Sequence, residues 1–109
     1  MTTLTDSPAW QSLRQRAAHF QQPGFRLDSL FAQAGDRFDH FSIEADGLLL
    51  DYSKNYLDEE TLLLLLELAQ ERDLNGAIGA MFAGAEINNT EQRPALHVAL
   101  REPVAKCRF

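Results

Sequence analysis

Five consecutive leucines, Leu62 to Leu66, constrain this chain more than any other stretch. In a helix, such a run sets apolar side chains around most of the circumference instead of along one stripe, and Leu68 and Ala69 extend it. Asp58 precedes the run as an N-cap, Glu59 and Glu60 supply the negative charge that a first turn favours, and Leu57 and Leu62 take the two positions of a hydrophobic staple. The pattern predicts a helix from Asp58 to about Arg72. Something must cover it, and a two-layer fold of 109 residues has little surface to spare for the task.

At this length one core is the ceiling, and no repeat, low-complexity tract or linker interrupts the chain, so residues 1–109 are expected to form a single segment. Hydrophobic residues at 45% and charged residues at 24% favour folding over disorder. Ten Lys and Arg against sixteen Asp and Glu leave a formal charge of -6, which opposes binding to phosphate backbones or anionic lipid, so neither nucleic acid nor membrane is an expected partner. The longest apolar run is far shorter than the ~20 residues of a membrane span. The start Met1-Thr2-Thr3-Leu4 has no basic flank before an apolar stretch, and a cytoplasmic home is expected. Cys107 is the single cysteine, which excludes an internal disulfide.

Around the leucine helix, Ser7-Pro8 reads as a helix start, and Trp10, Leu13, Ala17 and Phe20 recur at helical spacing, giving a helix over about 8–21 that stops near Gln22-Pro23-Gly24. Leu27, Leu30 and Phe31 suggest a short second helix closed by Gly35. Asp46-Gly47 between apolar runs is a strong hairpin signal and predicts strands near 38–45 and 48–53. Asp73 caps a further helix from Leu74 to about Ala83, stopped by Gly84. Residues 95–101 read equally as short helix or buried strand. The expected class is α+β, mostly helical with four or five helices and one antiparallel hairpin.

Candidate chemistry is sparse. His19, His40 and His97 are scattered, without a cysteine or second histidine at ligand spacing, and a structural or exposed role fits each; for His97, between Leu96 and Val98, a core hydrogen bond fits better than catalysis. Asp58-Glu59-Glu60 is explained by capping. Gly76-Ala77-Ile78-Gly79 lacks the Gly-Lys-Ser/Thr continuation of a phosphate loop, and close helix packing accounts for it better. Asn88-Asn89-Thr90 matches a glycosylation pattern that a cytoplasmic chain would not use. Cys107 lacks a positioned base, and a turn explains the polar run Asp51 to Asn55.

Three blocks in order carry a family resemblance: Asp36-Arg37-Phe38, then Leu50-Asp51-Tyr52-Ser53-Lys54-Asn55, then Asp73-Leu74 followed by Gly76-Ala77-Ile78. The match continues through Met81-Phe82, Gly84, Ile87-Asn88, Thr90-Glu91 and Arg93 to Leu96-His97-Val98-Ala99-Leu100-Arg101. Together these resemble the early part of bacterial glucose-6-phosphate isomerases. The resemblance implies a fragment of a larger α/β enzyme that interconverts glucose 6-phosphate and fructose 6-phosphate, in glycolysis and gluconeogenesis, through an enediol with a carboxylate base and no metal. Family members are several times longer. Their phosphate-binding serine and Ser/Thr loop, catalytic glutamate and ring-opening histidine have no counterpart here. No catalytic, cofactor-binding or metal-binding residue is therefore assigned, and no cofactor is expected. The tail from Glu102 begins as the family would continue and then stops in Cys107-Arg108-Phe109, as a truncated, frameshifted or partial reading frame would.

Two functions are compatible with these readings. The first is the opening segment of a sugar-phosphate isomerase, inactive alone, whose partner is the rest of the isomerase chain or another subunit, with sugar phosphate bound only by the full-length enzyme. The alternative is a stand-alone interaction module docking through the leucine-rich helix over 62–69.

Overall fold

The computed structural model describes residues 3–103. They form a 3-10 turn at Leu4–Asp6, then α1 (Pro8–Phe20), α2 (Asp28–Gln33), α3 (Arg37–His40), β1 (Ser42–Ala45), β2 (Leu48–Asp51), α4 (Glu59–Glu71) and α5 (Leu74–Phe82), with a final 3-10 turn at Ala99–Arg101. This is the expected α+β class. The chain comprises two compact units, Met1–Leu68 and Ala69–Phe109.

In the first unit, α1 begins at Pro8, but Ser7 does not cap it through its side chain. A 3-10 turn precedes the helix, and the Ser7 hydroxyl donates to the Leu4 carbonyl at 2.8 Å, which removes it from the helix N–H groups. Ala9 is the buried residue of α1, whereas Trp10, Leu13 and Phe20 are half-buried and Ala17 is exposed. The second helix ends because Ala34 turns extended, with φ -137° and ψ 104°. Gly35 is not among the residues with positive φ, so it is not the left-handed stop expected of it.

The strand expected from Phe38 starts late. Residues 37–40 make a helical turn instead, closed by Phe41 N–H to the Arg37 carbonyl at 2.9 Å, and β1 starts at Ser42. Arg37 and Phe41, four apart, are the buried pair of this turn, while Phe38 is exposed. Asp46 (φ 53°) and Gly47 (φ 76°) both adopt positive φ, as a two-residue type I′ hairpin requires. The register pairs Ser42 with Asp51, Ile43 with Leu50, Glu44 with Leu49 and Ala45 with Leu48. Alternation therefore sets Ile43, Ala45, Leu48 and Leu50 on one face of the hairpin. The second strand ends at Asp51, short of the expected Ser53, because the Asp51 carboxylate turns the chain: Oδ1 accepts from Ser53 N–H at 2.9 Å and from its hydroxyl at 2.6 Å.

Asp58 caps α4 as expected, its Oδ1 accepting from Thr61 N–H at 2.9 Å and Thr61 Oγ1 at 2.6 Å. The leucine run stays largely uncovered within this unit. Leu63 is 61% exposed, and Leu65 and Leu66 are exposed as well.

In the second unit, Asp73 takes a left-handed conformation (φ 50°) and accepts from Gly76 N–H at 3.1 Å, capping α5. Gly84 (φ 76°) follows the helix as its stop. Residues 95–101 resolve as neither α-helix nor strand, their regular part being the 3-10 turn Ala99–Arg101.

Candidate functional site

The polar centre of the first unit is Arg37, which is 3% exposed. The α3 turn aims its side chain at the loop after β2, where Nε donates to the Ser53 carbonyl at 2.7 Å and Nη2 to the Asn55 carbonyl at 3.1 Å. The guanidinium also lies over the Phe41 ring, 4.5 Å from its centroid, and over Phe31 at 5.4 Å. Burial lowers the Arg37 pKa, with the Asp58 charge opposing. Such a group stays protonated all the same. Ser53 is fully buried, and Asp51 beside it also accepts from Lys54 Nζ at 2.6 Å. The Lys54 and Ser53 hydrogen bonds hold the Asp51 carboxyl down at about 2.

A second polar link joins α1 to the start of α4. Arg16 pairs with Asp58 through Nη2 and lies 3.3 Å from Glu60 through Nη1, while its Nε is buried without a hydrogen-bond partner among the described residues. Burial pushes the Asp58 carboxyl up, but hydrogen bonds from Thr61 and the Arg16 charge outweigh it and hold the carboxyl below its ordinary value. Next to this pair lies a cleft of about 340 Å³ lined by Leu13, Arg16, Ala17, Phe20, Tyr56 and Thr61 among others.

These clusters are built for positioning. Each carboxylate is committed to a cap, a turn or a paired cation, and the Arg37 guanidinium is closed off from solvent.

The residues singled out in the sequence do not converge. His19 packs edge-on against Phe20 and Phe25, with centroids 5.4 and 6.0 Å away. His40 is exposed, with Nε2 2.9 Å from Asp36 and Nδ1 3.7 Å from Glu59. His97 is exposed too, which corrects the expected core hydrogen bond. Gly76 and Gly79 do not serve close helix packing: a Cβ at Gly76 would strike the Asp73 carboxylate, and one at Gly79 would meet open space. Asn88 Oδ1 accepts from the N–H groups of Thr90 (3.1 Å) and Glu91 (3.2 Å), so it organises a turn. Cys107 lies outside the described residues. Among those residues, no group of three or more His, Cys, Asp and Glu is arranged to hold a metal.

The phosphoglucose isomerase family model matches residues 51–108, more than half of the chain. The chain belongs to the phosphoglucose isomerase family. It is similar to the glucose-6-phosphate isomerase of Gloeobacter violaceus, 53% identical over 103 residues, which cover 94% of this chain and 18% of that protein. The corresponding enzyme of Nitrosospira multiformis is 51% identical over 94% of this chain and 19% of its own length. That of Shewanella pealeana is 47% identical over 97% and 19%. The chain thus spans less than a fifth of the curated isomerases it matches.

Within this phosphoglucose isomerase segment, the family match begins at Asp51, the residue that turns the chain out of β2. Arg37 and Arg16 lie before it, yet they hold Ser53, Asn55 and Asp58 inside it. Sequence reasoning missed both arginines as organisers. The one available signal for Arg37 was its place in the Asp36-Arg37-Phe38 block, which does not say what the side chain reaches.

Proposed function

We propose that this chain is the opening part of a glucose-6-phosphate isomerase, contributing scaffold to a longer polypeptide that interconverts glucose 6-phosphate and fructose 6-phosphate. The observation that carries this is 53% identity to the Gloeobacter violaceus isomerase across 94% of this chain, against 18% of that protein. The polar clusters described above fit a scaffold role, since their charged groups are used up in holding turns and helix starts. The reaction, its sugar-phosphate substrate and its place in glycolysis and gluconeogenesis belong in this reading to the full-length enzyme, and so does a cytoplasmic home. No helix among the described residues is long and apolar enough to cross a membrane. The partner of this segment is the rest of the isomerase polypeptide or another subunit. No observation favours the stand-alone docking module.

The test has two arms. The purified 109-residue chain is expected to show no isomerisation of glucose 6-phosphate above background. A chimera in which this chain replaces the matching segment of the Gloeobacter violaceus isomerase is expected to turn over. Activity in the chain alone, or a folded but inactive chimera, overturns the proposal.

A further inference from the structure

Tyr56 is 63% exposed, although it stacks on Phe20 (centroids 6.1 Å apart, planes 22° apart) and meets Phe25 edge-on at 5.7 Å. Phe20 and Phe25 are themselves in edge contact at 5.2 Å. Aromatic side chains clustered this way usually bury most of their surface, and an exposed one at the edge of such a cluster is the composition of an interface anchor. Tyr56 also lines two clefts. One is the cleft beside Leu13, Arg16 and Phe20; the other, of about 520 Å³, is lined by Phe25, Leu27, Phe31 and Lys54 among others. All of these residues belong to the first unit, and Tyr56 is common to both linings, so the two clefts adjoin at its ring as a two-part groove.

The cations around this groove decide what it accepts. Arg16 is engaged by Asp58 and Glu60, Arg26 by Asp28 at 2.9 Å, and Lys54 by Asp51 at 2.6 Å. Arg16 Nε is buried without a hydrogen-bond partner among the described residues. An anion such as a sugar phosphate would have to displace carboxylates, one of which caps α4. What stays on offer is apolar and aromatic surface, which suits uncharged side chains. The curated relatives carry more than four-fifths of their length beyond the part matched here, so the longer polypeptide has ample segments to supply them.

Resting on the isomerase-segment reading, we infer that the groove divided by Tyr56 docks an uncharged, extended segment of the longer isomerase polypeptide, which lays aliphatic or aromatic side chains on both sides of the Tyr56 ring. Hydroxyl-radical footprinting with mass spectrometry tests this on the 109-residue chain and on the Gloeobacter violaceus chimera. Tyr56 is expected to label readily in the chain alone and to lose most of its labelling in the chimera. Equal labelling in an active chimera overturns the groove while leaving the isomerase reading in place. Protection of Tyr56 in a folded but inactive chimera supports the groove and counts against that reading. Protection that appears in the isolated chain as its concentration rises assigns the groove to a second copy and overturns the proposal.

Overlapping peptides spanning the remainder of the Gloeobacter violaceus isomerase, titrated against the 109-residue chain, serve where the chimera fails to fold. At least one uncharged peptide is expected to bind, with Tyr56→Ala weakening it about 10- to 30-fold and Tyr56→Phe retaining it. Binding confined to anionic peptides, competition by glucose 6-phosphate, or no binding at all overturns the inference.

Discussion

Arg37 is buried to 3% exposure, while Leu48, in the hairpin that the same helical turn leads into, stands 75% exposed and Leu50 61%. A charged side chain is tolerated inside because this chain supplies everything the guanidinium needs: two carbonyls at hydrogen-bond distance and an aromatic face beneath it. The leucines cannot be treated that way. Apolar surface is stabilised only when other apolar surface covers it, and a two-stranded sheet has none to spare beyond its own strands. The difference separates what this chain completes by itself from what it leaves uncovered. Polar loops are locked from within, and the apolar hairpin face stays open.

The largest expected effect is at the locked end of that contrast. Arg37→Ala leaves the Ser53 and Asn55 carbonyls without their donors and removes the cation above Phe41, and should cost about 3 kcal/mol or more in urea unfolding of the purified chain. Arg37→Lys keeps the charge and loses the fork, so it should recover only part of the loss. A cost under about 1 kcal/mol for the alanine variant breaks the comparison, because the loop would then be held by something else.

Asp58→Ala comes next. It removes the α4 cap and the Arg16 partner together, for an expected cost of about 1 to 2 kcal/mol. Asp58→Asn preserves an acceptor for Thr61 but not the ion pair, so comparing the two variants by urea unfolding separates cap from charge. A cost for the asparagine variant equal to that for alanine assigns the effect to the pairing with Arg16.

Acid should loosen the same loop. The Asp51 carboxyl sits at about 2 against an ordinary 3.8, so its charged form contributes stability above the ordinary value that is lost as pH falls through the depressed one. The held-down Asp58 carboxyl acts in the same direction. Far-UV circular dichroism should therefore report a fall in stability between about pH 4 and pH 2, and Asp51→Asn should make that fall shallower. An unchanged acid profile in the variant would show that the Lys54 and Ser53 contacts are not coupled to folding.

The sequence announced features whose cause is local. Asp46-Gly47 requires its turn, Asp58 and Asp73 cap the helices that follow them, and the helix over 74–82 stops at a glycine that can adopt positive φ. Features set across long separations were hidden. The turn at 37–40 was read as strand because Phe38, Phe41 and Ile43 look apolar in any period, and what favours the helical turn is an Arg37 side chain reaching carbonyls at 53 and 55. The groove was equally invisible, since Leu13 on one side and Phe25 on the other come to line clefts with Tyr56 only after folding. Gly76 misled for a different reason: its missing Cβ makes room for the Asp73 cap, a neighbour three residues back and not another helix.

The smallest expected effect lies at the open end of the contrast. Leu48 and Leu50 share a face with Ile43 and Ala45, and the Asp46-Gly47 turn already fixes the register, so neither leucine is needed to specify the pairing. Threonine is a good strand former of smaller apolar area, and Leu48→Thr with Leu50→Thr should change the stability of the isolated chain by no more than about 0.5 kcal/mol. The same pair placed in the Gloeobacter violaceus chimera should cost several times more, because there the face would be covered and truncation would leave a gap. A loss of about 2 kcal/mol already in the isolated chain would mean that this chain covers the hairpin itself, and the division between locked loop and open face would collapse.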